Sequence, residues 1–280
     1  MTSPTPRLTL QLLGLFRLAS RGVGVDLAYE KGRALLAFLA LQAGRSYTRD
    51  YLAQLLWPAL ERTTALANLR LVLHNLRPLI NGEDDAQDNA LLQVSRSAVA
   101  LQVDERIDVD AIRFLAPTLA CTTVAAPGFC TDCLADMAQC AALYQGEFLQ
   151  GFALPDCPEF EDWLYPQRER VLQRALSRLA QLSDTHERAG AFTQALPFAQ
   201  RFLALDPWNE HGRRRVMRLL ALCAQHDAAL SHFDRWCRVV KDELRLLPSE
   251  ETRTLAEHIR NHALPPNGRR SSDASLAAPT

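Results

Sequence analysis

The sequence predicts a mainly helical protein with a small β component, arranged as two consecutive domains. Residues 1–104 combine short β-type runs with three amphipathic helical segments, whereas residues 105–262 are almost entirely helical in periodicity. Of the 280 residues, 48% are hydrophobic and 22% are charged, which is typical of globular proteins. The remaining stretch, 263–280, is rich in Pro, Ser and Ala, so we expect a disordered tail there.

The N-terminal segment begins with two β-type runs and one helical run. LTLQLLGLFRL (8–18) and GVGVDLAY (22–29) each suit a strand. KGRALLAFLALQ (31–42) is rich in strong helix formers with leucines at helical spacing. Gly44 then supplies a helix stop.

Two further helices and a hairpin complete this segment. One helix begins after the N-cap candidate Thr48 and ends before Pro58. The next spans 61–77, and Pro78 should end or kink it. Its predicted buried stripe consists of Leu66, Leu69, Leu73, Leu76 and Ile80. Apolar runs on both sides of Ser-Arg-Ser in 90–103 predict a β-hairpin, and two helices followed by a hairpin predict a winged helix-turn-helix.

The acidic residues in 156–162 are interpreted as helix caps rather than as a catalytic cluster. An Asp-x-x-Glu capping box at 156–159, with Pro158 in the first turn, predicts the start of a long helix. Earlier in the helical domain, we expect one helix to open near Asp108 and another to span 134–149.

A repeat follows in the helical domain. Ala195-Leu196 and Ala229-Leu230 recur with the same flanking pattern at an offset of 34 residues. That offset is the period of tetratricopeptide helix pairs, in which a small residue lets the two helices pack closely. The sequence therefore predicts an all-α, tetratricopeptide-like domain at 105–262.

The charge is distributed unevenly although the net charge is only −1. Residues 31–80 carry seven Lys or Arg against two acidic residues. A local basic zone in a neutral protein is typical of a DNA-reading module, and a solvated helical face is the alternative interpretation.

Several classes of protein are not favoured by the sequence. No stretch approaches 18 uninterrupted apolar residues, and the start lacks the basic head and apolar run of a signal peptide, so we expect a cytoplasmic protein without membrane contact. There is no Gly-x-Ser-x-Gly, no pair of histidines on a helix and no phosphate loop, so we expect neither an enzyme nor a cofactor.

A cysteine-rich segment leaves three interpretations open. It contains FCTDC (129–133), and only this pair has the short spacing of a structural zinc site. The thiols are either small buried side chains, zinc ligands or a redox pair. The candidates are Cys121, Cys130, Cys133 and Cys140.

Seven ordered blocks resemble one known family over nearly the whole chain. LTLQLLGLFRL, KGRALLAFLAL, TRDYLAQLLWP and ANLRLVLHNLRPLI resemble the N-terminal winged helix of the SARP-type transcriptional activators. ALYQGEFLQGFALPDCPEFEDWLYPQRERV and ALPFAQRFLALDPWNEHGRRRVMRLLA resemble the bacterial transcriptional activation domain that follows it, as does ELRLLPSEETRTLAEHI. No G-x-x-x-x-G-K-[ST] element is present, so the chain resembles the short form of the family.

The resemblance implies a sequence-specific activator that binds double-stranded promoter DNA as a homodimer and recruits RNA polymerase. A helical-repeat adaptor, whose winged helix binds protein rather than DNA, is the alternative. A further variant is the same activator gated by a metal or redox site at the cysteines.

In such a protein the third helix would lie in the major groove. Arg70 and Arg77 could pair with guanine or clamp a phosphate, and His74 and Asn75 could reach base edges. Thr63 and Thr64, near the helix start, suit phosphate contact. Contacts outside the helix are expected from Arg96 in the minor groove and from Arg45 and Arg49 on the DNA backbone. Leu71 departs from the family pattern, since it is apolar on the DNA-facing side and could meet a thymine methyl group.

Overall fold

The computed structural model describes residues 6–82, 90–117 and 131–263. The chain divides into two compact units, residues 1–175 and 176–280. It is mainly helical with a small N-terminal β component, as the sequence predicts. None of the helices in the described residues is long and apolar enough to cross a membrane.

Seven short strands in the described residues form two sheets in the first unit. In chain order they are β1 (Leu8–Gln11), β2 (Arg17–Ser20), β3 (Val23–Val25), β4 (Ser46–Thr48), β5 (Leu92–Val94), β6 (Ala98–Leu101) and β7 (Ile107–Val109). One sheet has the order β3-β2-β1-β7, with β1 and β7 parallel. The other has the order β4-β6-β5 and is antiparallel. The predicted hairpin is confirmed as β5 and β6.

The helices of the first unit are α1 (Glu30–Leu41), α2 (Arg49–Leu56), α3 (Arg62–Asn81), α4 (Asp110–Leu115), α5 (Thr131–Ala142) and the first half of α6 (Pro158–Arg188). Residues 34–40 of α1 are buried without interruption. A helix that is apolar on all sides is stable only when other elements cover every face. The Phe38 ring meets Tyr47 at 4.9 Å and Trp163 at 5.0 Å between ring centroids, so α1 forms the core of this unit.

The predicted first strand, residues 8–18, is in fact two strands joined by a turn. The chain reverses at Gly14, whose φ of +114° is readily adopted only by glycine. The carboxylate of Asp110 accepts hydrogen bonds from the backbone N–H groups of Leu12 (2.8 Å) and Leu13 (3.0 Å). The helix expected to open near Asp108 is present: α4 begins two residues later, at Asp110, and Asp108 itself lies in β7.

The predicted helix over 134–149 ends at Ala142 instead. The following loop pairs with the turn after β1, since Leu149 N–H donates to the Leu12 carbonyl at 2.8 Å. In return, Gly14 N–H donates to the Glu147 carbonyl at 2.9 Å. These bonds satisfy backbone groups that a continued helix would have paired internally.

Pro78 does not end α3, which continues to Asn81. Proline removes one helical hydrogen bond, but tertiary contacts hold the last turn. Ile80 is buried, and the Asn81 side chain exchanges two hydrogen bonds with the backbone of Leu92, at 2.8 and 3.1 Å. Arg7 Nη1 also donates to the Asn81 carbonyl at 2.6 Å.

The predicted capping box at 156–159 is not formed. Asp156 instead pairs with Lys31 Nζ at 2.6 Å, and this hydrogen bond lowers the pKa of the carboxyl group. Glu161 reaches back to the N–H of Leu154. Between them, the buried Cys157 thiol donates to the Leu56 carbonyl at 3.1 Å.

In the second unit, the rest of α6 is followed by α7 (Phe192–Leu205), α8 (Glu210–Leu222), α9 (His226–Val239), a π-helical turn (Val240–Leu244) and α10 (Glu250–Arg260). Ala195 and Ala229, the two predicted repeat positions, are both fully buried. Asn209 caps α8 and Ser249 caps α10 through their side-chain oxygens. The tetratricopeptide assignment itself stays a prediction.

We expect Asp110→Asn to destabilise the protein by about 1–3 kcal/mol, because an amide cannot accept all the backbone N–H groups that meet the carboxylate. Burial raises the pKa of this carboxyl group, and the hydrogen bonds from Leu12, Leu13 and Ala111 partly offset that effect. Urea unfolding of the variant and its parent measures the difference. Asp108→Asn is the matched control, since its partially exposed pair with Arg113 should contribute about 1 kcal/mol or less. Equal losses in both variants would contradict a special role for Asp110.

Candidate nucleic-acid interface

A tight helix–turn–helix arrangement opens the candidate interface. The Thr48 hydroxyl accepts a hydrogen bond from Tyr51 N–H at 3.2 Å, which confirms the predicted N-cap of α2. Close to this cap, the Arg62 guanidinium at the start of α3 makes a bidentate contact with the Asp50 carboxylate, at 2.6 and 3.0 Å. This contact joins the starts of α2 and α3, and the hydrogen bond from Arg62 lowers the pKa of Asp50.

The two faces of α3 differ sharply in burial. Of the predicted stripe, Leu69, Leu73, Leu76 and Ile80 are buried and Leu66 is half-buried. Ala65 and Val72 are buried as well. The α3 residues predicted to face DNA are all exposed: Thr63, Thr64, Arg70, Leu71, His74, Asn75 and Arg77. Arg62, Ala67 and Pro78 are also exposed on this helix.

Two of the polar side chains on this face have no internal polar partner. Within the described residues, Arg70 and His74 make no hydrogen bond or ion pair with another side chain. Arg77 lines an open cleft of about 440 Å³ between α3 and the hairpin, together with Leu92 and Ser95. The Arg70 guanidinium and the His74 imidazole are therefore available to an external anion such as a DNA phosphate.

A closed turn at the tip of the β5–β6 hairpin presents Arg96 to solvent. The Ser95 hydroxyl accepts hydrogen bonds from the N–H groups of Ala98 at 2.9 Å and Ser97 at 3.3 Å. Ser95 N–H also donates to the Ala98 carbonyl at 2.8 Å. The Ser95 side chain therefore stabilises the turn, and the Arg96 side chain is exposed at its tip.

Arg49 ties this turn to the start of α2. Its backbone N–H donates to the Ser97 carbonyl at 3.0 Å, and its guanidinium Nη1 lies 3.4 Å from the Ser95 carbonyl. Arg49 is accordingly half-buried, whereas Arg45 is exposed. The two arginines predicted to contact the DNA backbone thus occupy different environments.

Two residues of this region were missed by reasoning from the sequence. Arg62 could have been found, since it is a basic residue at the first position of the helix. Asn81 could not, because its partner Leu92 lies eleven positions further along the chain. Through that contact, Asn81 connects the end of α3 to the start of the hairpin.

The cysteine candidates are only partly within the described residues. Cys121 and Cys130 lie outside them, whereas Cys133 and Cys140 are half-buried on α5. Across 6–82, 90–117 and 131–263, no group of three or more His, Cys, Asp or Glu side chains could hold a metal ion.

Comparison with known proteins identifies the family of the chain. The family described as bacterial transcriptional activator domain matches residues 109–260, more than half of the chain. The transcriptional regulatory protein MoaR1 of Mycobacterium tuberculosis is 23% identical over 254 residues, which cover 89% of this chain and 78% of MoaR1. MoaR1 of Mycobacterium bovis matches to the same extent.

A solved structure shares the fold. Mycobacterium tuberculosis EmbR, determined in complex with a low-affinity phosphopeptide, superposes with a TM-score of 0.67 at 21% identity. The match covers 94% of this chain and 67% of EmbR. From the family match and these relatives, we conclude that the chain belongs to the bacterial transcriptional activator domain family and is a SARP-type transcriptional regulator.

Proposed function

We propose that this chain is a sequence-specific DNA-binding activator that recruits RNA polymerase at its target promoters. In this proposal, residues 1–104 form a winged helix-turn-helix and residues 105–262 form a tetratricopeptide-like activation domain. Membership of a family of transcriptional regulators supports it. The single observation that carries the DNA-binding part is the exposed polar face of α3, opposite a largely buried apolar face.

Each group on that face has a suitable DNA partner. The planar guanidinium of Arg70 matches the O6 and N7 acceptors of guanine, and His74 and Asn75 can reach neighbouring base edges. Thr63 and Thr64 lie in the first turn, where unpaired backbone N–H groups favour phosphate. Arg62 lies beside them and is paired with Asp50, so these two side chains together add no net charge at this end.

Leu71 is the apolar member of the face, and 60% of its surface is exposed. An exposed leucine among polar neighbours contributes nothing to the core, but it can pack against the methyl group of thymine. We therefore propose that this protein prefers a thymine opposite Leu71.

The hairpin would act as the wing. Arg96 at its tip would enter the minor groove, whose negative potential attracts arginine. Because Arg49 is bonded to the carbonyls on both sides of Arg96, its proposed role is to position the wing. Arg45, which is exposed, would contact the DNA backbone.

A protein-binding role of the second unit is compatible with this proposal. Trp208, Leu246 and Leu247 are 53%, 61% and 75% exposed there. Large exposed apolar side chains are typical of surfaces that contact other proteins. RNA polymerase and a second copy of the chain are the partners we propose.

DNA binding should show a steep dependence on salt, because each phosphate contact releases counterions. Genome-wide footprinting with the full-length protein should find discrete protected sites. Titration of one such site at several salt concentrations should then give a linear fall of log K with log salt. A protein-only adaptor would give neither protected sites nor retention on heparin.

Arg70→Ala should weaken binding to the cognate site by about 1–3 kcal/mol and relax base preference at one position. Fluorescence anisotropy with the cognate duplex and its single-base variants measures both effects. Arg253→Ala removes the same charge from an exposed position in the second unit and should leave affinity nearly unchanged. Equal affinity of Arg70→Ala and the parent would reject the proposed guanine contact.

The effects of Arg49→Ala and Arg96→Ala on DNA affinity should not be additive. Arg49→Ala removes the guanidinium contact with the turn and so shifts Arg96, whereas Arg96→Ala removes the Arg96 side chain itself. In a double-mutant cycle we expect a coupling energy of about 0.5–3 kcal/mol. The same cycle with Arg45→Ala should be additive within about 0.5 kcal/mol, since no contact joins Arg45 to the hairpin tip in the described residues. Additivity in both cycles would show that Arg49 acts independently of the wing.

A further inference from the structure

The second unit contains a small cavity between the end of α6, α7 and α8. Its volume is about 150 Å³. Its lining includes Ala180, Ala199, Phe202 and Gly212, together with His211 and the ion pair of Asp184 with Arg215. Most of the lining surface is carbon.

One polar group lies in this lining without a partner. Ser183 lines the cavity and is fully buried, and within the described residues its hydroxyl finds no hydrogen-bond partner. Leaving a buried hydroxyl unpaired costs about 1–3 kcal/mol, so an unpaired hydroxyl calls for an explanation, and a bound molecule that supplies the missing partner is one.

Gly212 shapes the part of the lining next to Phe202. A Cβ atom at position 212 would lie only 2.8 Å from Cε1 of Phe202. Because Gly212 has no side chain, the Phe202 ring can approach the backbone of α8 closely. The aromatic ring then offers an apolar surface to an occupant.

The charged side chains at and beside the cavity are paired with one another. Arg215 is paired with Asp184 and approaches Glu187, and Arg218 donates to Glu187 at 3.1 Å. Burial, together with the positive charges of Arg215 and Arg214, lowers the pKa of His211, so its imidazole is neutral at neutral pH. The site therefore offers no uncompensated charge to an ionic ligand.

The size and polarity of the cavity restrict its occupant. The cavity is several times larger than the roughly 30 Å³ that a single water molecule accounts for in the liquid. An apolar cavity of roughly 150 Å³ engineered in another protein accommodates benzene. The unpaired hydroxyl adds a requirement for one hydrogen-bonding group on the ligand.

We propose that this cavity binds a small neutral molecule of benzene size that carries one hydroxyl or carbonyl group, and that Ser183 forms a hydrogen bond with that group. The site would make the second unit a ligand-binding module, which goes beyond the proposed DNA-binding function. Because no residue of the candidate DNA interface takes part, either proposal can fail without the other.

Phenol and toluene test the proposal, since they have nearly the same shape and only phenol carries a hydroxyl group. The full-length protein would be labelled with ¹³C at alanine methyl groups and titrated with each compound. We expect saturable shifts of the Ala180 and Ala199 signals with phenol. Ser183→Ala should raise the Kd for phenol on the order of fivefold, the effect of losing one neutral hydrogen bond, and leave the Kd for toluene unchanged.

Two further variants control this experiment. Ser177→Ala changes an exposed serine of the same helix and should bind phenol like the parent. Ala180→Leu places a larger side chain in the cavity and should abolish binding of both compounds. The proposal is overturned if the two alanine signals do not respond to phenol, or if Ser183→Ala and Ser177→Ala bind phenol equally well.

Discussion

The first unit depends on a helix that is covered on every side. Residues 34–40 of α1 are buried without interruption, so the helix is stable only where other elements surround it. The Phe38 ring shows how closely they do so, because it contacts Tyr47 in β4 and Trp163 in α6. Loss of any one of these neighbours would expose apolar surface of α1 to water, which couples the elements energetically.

That packing also determines the geometry of the candidate DNA interface. The buried stripe of α3 faces the core, which leaves the opposite polar face in solvent. Two polar ties then connect the hairpin to the helices: Asn81 to Leu92 at its base, and Arg49 to the turn at its tip. A hairpin without these hydrogen bonds would sample many positions. Its binding to DNA would then be weakened by the conformational entropy lost when the hairpin becomes ordered. With them, Arg96 and the α3 face form one preorganised surface.

The second unit uses charge differently. Basic residues on α8 are paired with acidic residues on α6 and α10, as in Arg215 with Asp184 and Arg214 with Glu251. These ion pairs orient the helices. Because each arginine charge is balanced by a carboxylate, the surroundings of the neighbouring cavity carry no net charge. Short side chains at Ala180, Ala199 and Gly212 create that cavity, because small residues allow helices to approach closely without filling every space between them.

The sequence by itself determined the fold class, the hairpin, the N-cap at Thr48 and the exposed face of α3, because each follows from local periodicity or capping chemistry. Only the tertiary structure decided where elements end when a distant partner competes for the backbone. Asn81 extends α3 past Pro78 by bonding to β5, and the turn after β1 ends α5 early by pairing with residues 147–150. Lys31 likewise draws Asp156 out of its predicted cap. In each case the deciding hydrogen bond joins residues far apart in the chain, and local sequence pattern carries no information about such a partner.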